Sequence, residues 1–222
     1  MKRLISFALV LISVLVFSSC SVKSFDAEQL CSDGLNKLNM QNEFHYATYN
    51  LEGSSNGTYK MLTEETEYWV SGENWLSHTK LDDCFTLSVG SEQYYAVNVE
   101  AGTLLWEPKM DSTDAPVPIP ELDLNIYHVE SDKTQDGIRT ITFSSDNTEN
   151  SGKSVTCYKL VFQFKDDLIN QLNFSKQITF PRANGEEMCI FYTTVTEYYE
   201  FDDGDISEKI ISNYEVALRN RE

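Results

Sequence analysis

Val155-Thr156-Cys157-Tyr158-Lys159-Leu160-Val161-Phe162-Gln163-Phe164-Lys165, then Asp166-Asp167, then Leu168-Ile169-Asn170-Gln171-Leu172-Asn173-Phe174-Ser175-Lys176-Gln177-Ile178-Thr179-Phe180 is the stretch that decides the fold. Tyr158, Leu160, Phe162 and Phe164 recur every second residue, the period of a strand with one buried face. Lys159 and Gln163 fall between them. Asp166-Asp167 is a turn pair, and Leu168, Leu172, Phe174, Ile178 and Phe180 give the next strand its apolar face. A third long segment, Met188–Phe201, places Phe191, Val195, Tyr199 and Phe201 on one face. Three long strands with one wet face predict an antiparallel sheet.

Upstream the same period persists in shorter runs, at Phe44–Glu52, Thr58–Val70, Asn74–Leu81, Phe85–Val89, Gln93–Val99, Thr103–Trp106, Leu124–Glu130 and Ile138–Ser144. Asn56-Gly57 and Ser71-Gly72 are turn dipeptides between them. Pro108, Pro116, Pro118 and Pro120 lack amide donors, so Glu107–Asp123 reads as an extended connector. Helical spacing of Ala27, Leu30, Cys31, Leu35 and Leu38 predicts an N-terminal helix over Asp26–Met40, capped by Asp26. Ile206, Ile210, Tyr214 and Leu218, four apart, predict a C-terminal helix. The fold class is therefore α+β, mostly antiparallel β.

The first residues carry a different message. Lys2 and Arg3 precede an uncharged apolar run, Leu4–Phe17, which ends at Ser18-Ser19-Cys20. That order is a secretory signal. The run of about 14 residues is shorter than the roughly 20 needed to span the hydrocarbon as a helix. Small residues directly before Cys20 resemble a lipobox, which implies a diacylglyceryl thioether on Cys20, removal of residues 1–19 and a short tether over 20–25. Phe17 departs from the usual Leu or Val of that motif, and a plain secretory signal cut near Ser19 is the alternative. Two or more acyl chains suffice for stable anchoring. The expected location is the extracytoplasmic face of a cell membrane.

Removing Lys2 and Arg3 from the 17 basic residues leaves 15 against 35 acidic ones, a net charge of −20 on 203 residues. So negative a body repels nucleic acid and anionic headgroups. The length suits one domain, residues 26–222, with its own core. Twelve Tyr and twelve Phe exclude a disordered chain.

Lipobox, amphipathic helix, and long amphipathic antiparallel strands broken by a proline-rich connector resemble the lipoprotein-carrier superfamily of LolA and LolB type. The resemblance covers most of the chain after Cys20 and implies a curved half-barrel sheet clasping helices, with an apolar ligand held between them. It would make Tyr158, Phe162, Leu172, Phe174, Phe191 and Val195 lining residues of that cleft; the same residues also suit a filled core. The function expected is non-enzymatic binding of a lipid or acyl chain. The alternative is an envelope interaction module that binds a protein or glycan through an acidic surface rich in Trp69, Trp75, Trp106, Tyr68, Tyr94 and Tyr95.

Cys31, Cys84, Cys157 and Cys189 are an even set in an exported chain, and they permit two disulfides. Parity puts Cys157 outward and Cys189 inward, favouring Cys31 with Cys189 and Cys84 with Cys157. Cys31 with Cys84 is also allowed if the register slips, and free thiols are the other outcome. No pair has the spacing of a zinc knuckle. His45, His78 and His128 stand alone in strand-like runs, outside any catalytic motif. The paired carboxylates sit at turns and strand ends. Glu200, Asp202, Asp203 and Asp205 form the richest acidic cluster but lack the spacing of a calcium loop. No catalytic residue, metal or cofactor is expected.

Overall fold

The structure, a computed structural model, describes residues 26–54, 60–100, 103–110, 113–145, 149–150, 154–181, 187–202 and 204–220. Residues 1–25, on which the expected signal, the lipidation at Cys20 and the expected tether fall, lie outside this set. No described helix is long and apolar enough to cross a membrane.

Helix α1 is described over residues 26–39. It leads into a meander of β1 (Glu43–Ser54), β2 (Lys60–Ser71), β3 (Asn74–Thr79), β4 (Cys84–Val89), β5 (Glu92–Glu100) and β6 (Thr103–Pro108). A second run follows: β7 (Tyr127–Gln135), β8 (Ile138–Ser145), the two-residue β9 (Glu149–Asn150), β10 (Val155–Lys165), β11 (Leu168–Pro181) and β12 (Glu187–Phe201), then helix α2 (Gly204–Arg219). All pairings are antiparallel, in one open sheet ordered β6-β5-β4-β3-β2-β1-β12-β11-β10-β8-β7, with β9 beside β10. The expected class, mostly antiparallel β with a helix at each end, is the fold observed.

The two meanders meet at β1 and β12, whose register runs from Phe44 opposite Phe201 to Ser54 opposite Ile190. Their free edges, β6 and β7, are the two edges of the whole sheet, so the connector between them crosses from one side to the other. Prolines suit that path because each lacks an N–H that would need a partner over an apolar surface. Ile119, Leu122 and Leu124 pack on the core, and the Tyr198 hydroxyl donates to the Pro118 carbonyl at 2.7 Å. Gln93 on β5 fixes the start of the connector through Thr113, donating from Nε2 to its carbonyl at 2.8 Å and accepting from its N–H at 2.7 Å.

Two cores form, one on each face. On the first, Ala27, Cys31 and Leu38 of α1 pack on Phe143, Leu160, Phe162, Phe164, Ile169 and Leu172. On the second, Ile206, Ile210 and Ala217 of α2 pack on Trp69, Leu76, Leu87, Tyr94 and Trp106. The faces are opposite because adjacent residues divide between them: Val70 and Trp75 belong to the first core, Trp69 and Leu76 to the second. Thus α2 does not share the side of the sheet that α1 covers.

Four expectations change in detail. A bulge at Asn170 between the registers Gln163–Gln171 and Phe164–Ile169 puts Ile169, not Leu168, in the core. Ala217 is buried while Leu218 is exposed, since repeated steps of four residues drift off one helical face. The segment predicted as a strand from Leu124 begins with a 3-10 turn, Leu124–Ile126. β7 then continues through polar Ser131–Gln135, an edge stretch too hydrophilic to show alternation, and turns at Asp136-Gly137, both in the left-handed region.

Gly34 lets α1 approach the sheet: a Cβ there would lie 2.9 Å from Phe164 Cε1 and 3.0 Å from Ile169 Cδ1. Gly34→Val should therefore lower stability by about 2 kcal/mol through overpacking. Gly204→Ala, where a Cβ meets nothing within 4 Å, should be close to neutral; urea unfolding of both variants checks the contrast.

Candidate functional site

The six expected lining residues do not converge. Phe162 (0% exposed) and Leu172 (3%) are filled core beneath α1 and the connector. Tyr158 and Phe174 share their face but lie further along the strands, where their rings stack at 6.0 Å. Phe191 and Val195 are on the opposite face. The cause is a bulge in β12: His45 pairs with Glu200 and Tyr46 with Tyr198, leaving Tyr199 as an extra residue. Parity counted back from Phe201 is therefore inverted below it. Val195 is buried on that far face and Phe191 half-buried.

On the α1 face, the ends of β10–β12 carry an apolar ledge instead of a cleft. The registers Leu160–Phe174–Thr194, Tyr158–Lys176–Tyr192 and Thr156–Ile178–Ile190 put Tyr158, Phe174, Tyr192, Ile178 and Ile190 on one surface. Phe174 is 37% exposed and Tyr192 42%, with Ile178 and Ile190 half-buried. Neither Tyr192 nor Ile190 was singled out in the sequence. The true β12 parity, Tyr198–Thr196–Thr194–Tyr192–Ile190, mixes polar and apolar side chains and so lacks the usual signal.

Of the outcomes open for the cysteines, the structure holds the one without disulfides. None of the four described cysteines is joined to another. Cys31 is buried on the sheet-facing side of α1, which pushes its thiol pKa up by desolvation, whereas Cys189 faces the other side of the sheet. Cys157 aligns with Gln177 and Phe191, and Thr179 with Cys189, so Cys157 and Cys189 share a face two strands apart. With the two-residue offset along the strands that is roughly 12 Å, beyond disulfide reach. Cys84 lies in the other meander with Sγ 2.9 Å from the Tyr95 hydroxyl.

The densest polar cluster lies on the α2 face at the seam. His45 Nε2 is 2.7 Å from Glu67 Oε1, and its Nδ1 is 3.3 Å from Glu200 Oε2. A neutral imidazole has one N–H, so a ring facing a carboxylate oxygen at each nitrogen can donate to both only as imidazolium. The ring stacks on Trp69 at 4.9 Å and meets Tyr199 edge-on at 5.0 Å, while Lys209 Nζ of α2 sits 3.5 Å over Trp69. Lys80 pairs with Glu65 and reaches Glu67 at 3.9 Å. Beside it, Glu197 accepts from the Tyr49 hydroxyl at 2.5 Å and from Gln171 Nε2 at 2.8 Å. Burial and that carboxylate both raise the Tyr49 pKa. The bond from His45 holds Glu67 below its ordinary value, aided by Lys80 and Lys209 and opposed by desolvation. Burial lowers the pKa of Lys209.

No protein-family model matches the chain, and no curated protein matches its sequence.

The acidic cluster expected around Glu200 is divided among other tasks. Glu200 belongs to His45, and Asp202 Oδ1 accepts from the N–H groups of Asn42 and Glu43 at 2.9 and 3.1 Å. Asp203 lies outside the described residues. Among the described residues no group of three or more His, Cys, Asp or Glu is placed to hold a metal. Of the aromatic set, Trp75 is in the first core, and Trp69, Tyr94 and Trp106 are in the second; Tyr95 is exposed.

The lowered Glu67 pKa makes its contribution complete above the ordinary value of 4.5 and lost as pH falls through the lower folded value. Glu67→Gln should be less stable than wild type by about 1–2 kcal/mol at neutral pH. That gap should close only below pH 4.5, as measured by chemical denaturation across a pH series.

Proposed function

We propose that the protein is a non-enzymatic, lipid-anchored extracytoplasmic binding protein that takes an apolar ligand, a lipid or acyl chain, along the ledge of Tyr158, Phe174, Tyr192, Ile178 and Ile190. The observation that carries this reading is a set of aromatic and aliphatic side chains around Lys176, left partly exposed on the face whose remainder is filled by α1 and the connector. A water-exposed strip of this kind is a binding surface in want of cover. The order of lipobox, amphipathic helix and long antiparallel strands that resembles the half-barrel lipoprotein carriers motivates the choice of an apolar ligand. Attachment through Cys20 would hold the ledge within reach of a bilayer while the acidic body resists anionic headgroups.

Burial of a Phe side chain contributes about 1.5–3 kcal/mol, so Phe174→Asp should weaken displacement of a fluorescent fatty acid by about tenfold or more. Phe174 is 37% exposed and stacks on Tyr158, so its replacement should lower the melting temperature by only a few degrees, leaving the fold intact for the binding assay. Mass spectrometry of solvent extracts of the purified protein should recover a lipid. An empty protein that does not bind the probe would overturn the reading, and reproducible capture of one envelope protein through the same ledge would favour the interaction-module alternative. Cys20→Ser should shift the chain from the detergent phase to the aqueous phase in a phase-partition assay; retention in the detergent phase would remove the anchor from the proposal.

A further inference from the structure

A groove of about 720 Å³ runs between α1 and the connector and shares no lining residue with the ledge. Its size falls within the range of small-molecule sites, roughly 300–1,000 Å³. One wall is a stripe of α1, Gln29, Ser32, Asn36 and Asn39, spaced three, four and three residues apart and so aligned along one side of the helix. It adjoins the apolar stripe that seats α1 on the sheet. The other wall is Glu121, Asp123 and Asn125, alternate residues of the connector. Leu35, Ile119 and Tyr127 supply apolar and aromatic surface, and each also packs on the first core. Glu28 completes the polar lining; no Lys, Arg or His contributes.

This lining selects a chemistry. With no cation, and with Glu28, Glu121 and Asp123 in the lining, it repels a phosphate or carboxylate. Its polar walls would be left unpaired against a purely apolar chain. An ammonium group could meet the carboxylates, but Asp123 Oδ1 already accepts from the N–H and Nδ2 of Asn125, at 3.0 and 2.8 Å. An ammonium ion also only donates, so it leaves carboxamide N–H groups without acceptors. A sugar hydroxyl both donates and accepts. A row of hydroxyls therefore matches mixed carboxamide and carboxylate walls, while the C–H face of a pyranose can lie on Tyr127 and Leu35. Among the described residues the side chains of Ser32, Asn36 and Asn39 make no hydrogen bond, so a ligand has no internal side-chain bond of theirs to break. We propose that the groove between α1 and the connector binds a short neutral glycan.

Isothermal titration of the full chain, held in a detergent without a sugar headgroup, tests this with cellotetraose, chitotetraose, maltotetraose and mannotetraose as probes. At least one should bind with a dissociation constant below about 1 mM. Asn36→Ala/Asn39→Ala should weaken it by about tenfold or more. Both side chains are exposed on the helix, so the melting temperature should stay put. Binding should change little between about 0.05 and 0.5 M salt, as befits uncharged hydroxyls, and Phe174→Asp on the ledge should leave it intact. Failure of all four probes, or binding that survives the double Asn variant, would overturn the proposal. So would salt-sensitive binding of spermidine that the double variant or Glu121→Gln abolishes, which would assign the groove to a cation.

Discussion

Pairing of β1 with β12 is the constraint on which the structure rests. It joins the first strand to the last, so the sheet cannot become one until the chain has been traversed. Closing so long a loop costs entropy that only the completed seam recovers. Aromatic pairs supply much of the return: Phe44 meets Phe201 edge-on at 5.8 Å and Tyr46 packs against Tyr198 at 6.1 Å. Asp202 locks the end of β12 to the N–H groups that open β1. Both helices hang from this seam, α1 just before β1 and α2 just after β12.

From the seam the position of every candidate surface follows. With β1 and β12 central, β6 and β7 must be the edges, and the chain between them must cross a face. The α1 face receives that crossing because α1 leaves room beside it, and prolines let it pass with few unsatisfied donors. The gap between helix and connector is the polar groove; the strand ends that neither covers are the ledge. The opposite face has α2 over β2–β6, and the boundary of that cover is where His45, Glu67, Glu200 and Lys209 gather. Each polar or greasy feature thus marks a limit of one covering element.

Legibility in the sequence tracked regularity. β10 alternates without interruption from Tyr158 to Phe164, and its core residues were apparent from period alone. Where a bulge adds a residue, the same reasoning inverts. Asn170 exchanged Leu168 for Ile169, and Tyr199 sent Phe191, Val195 and Cys189 to the far face. Bulges leave almost no local mark, since the inserted residue is of an ordinary strand-forming or polar type. The side of α2 was equally hidden, because Ile206, Ile210 and Tyr214 form an apolar stripe that fits either face. His45 looked isolated for a different reason: its carboxylate partners come from strands that only the three-dimensional register brings beside it.

Trp69 and Val70 are neighbours in the chain, as are Trp75 and Leu76, yet each pair has one member in each core. The two apolar layers are therefore not independent reserves of stability. Loosening β2 or β3 removes a large side chain from both at once, so neither helix can release its half of the sheet while the other half stays intact. A domain with two cores on two faces is thus bound to melt as a single cooperative unit, its thermodynamic coupling written into two dipeptides.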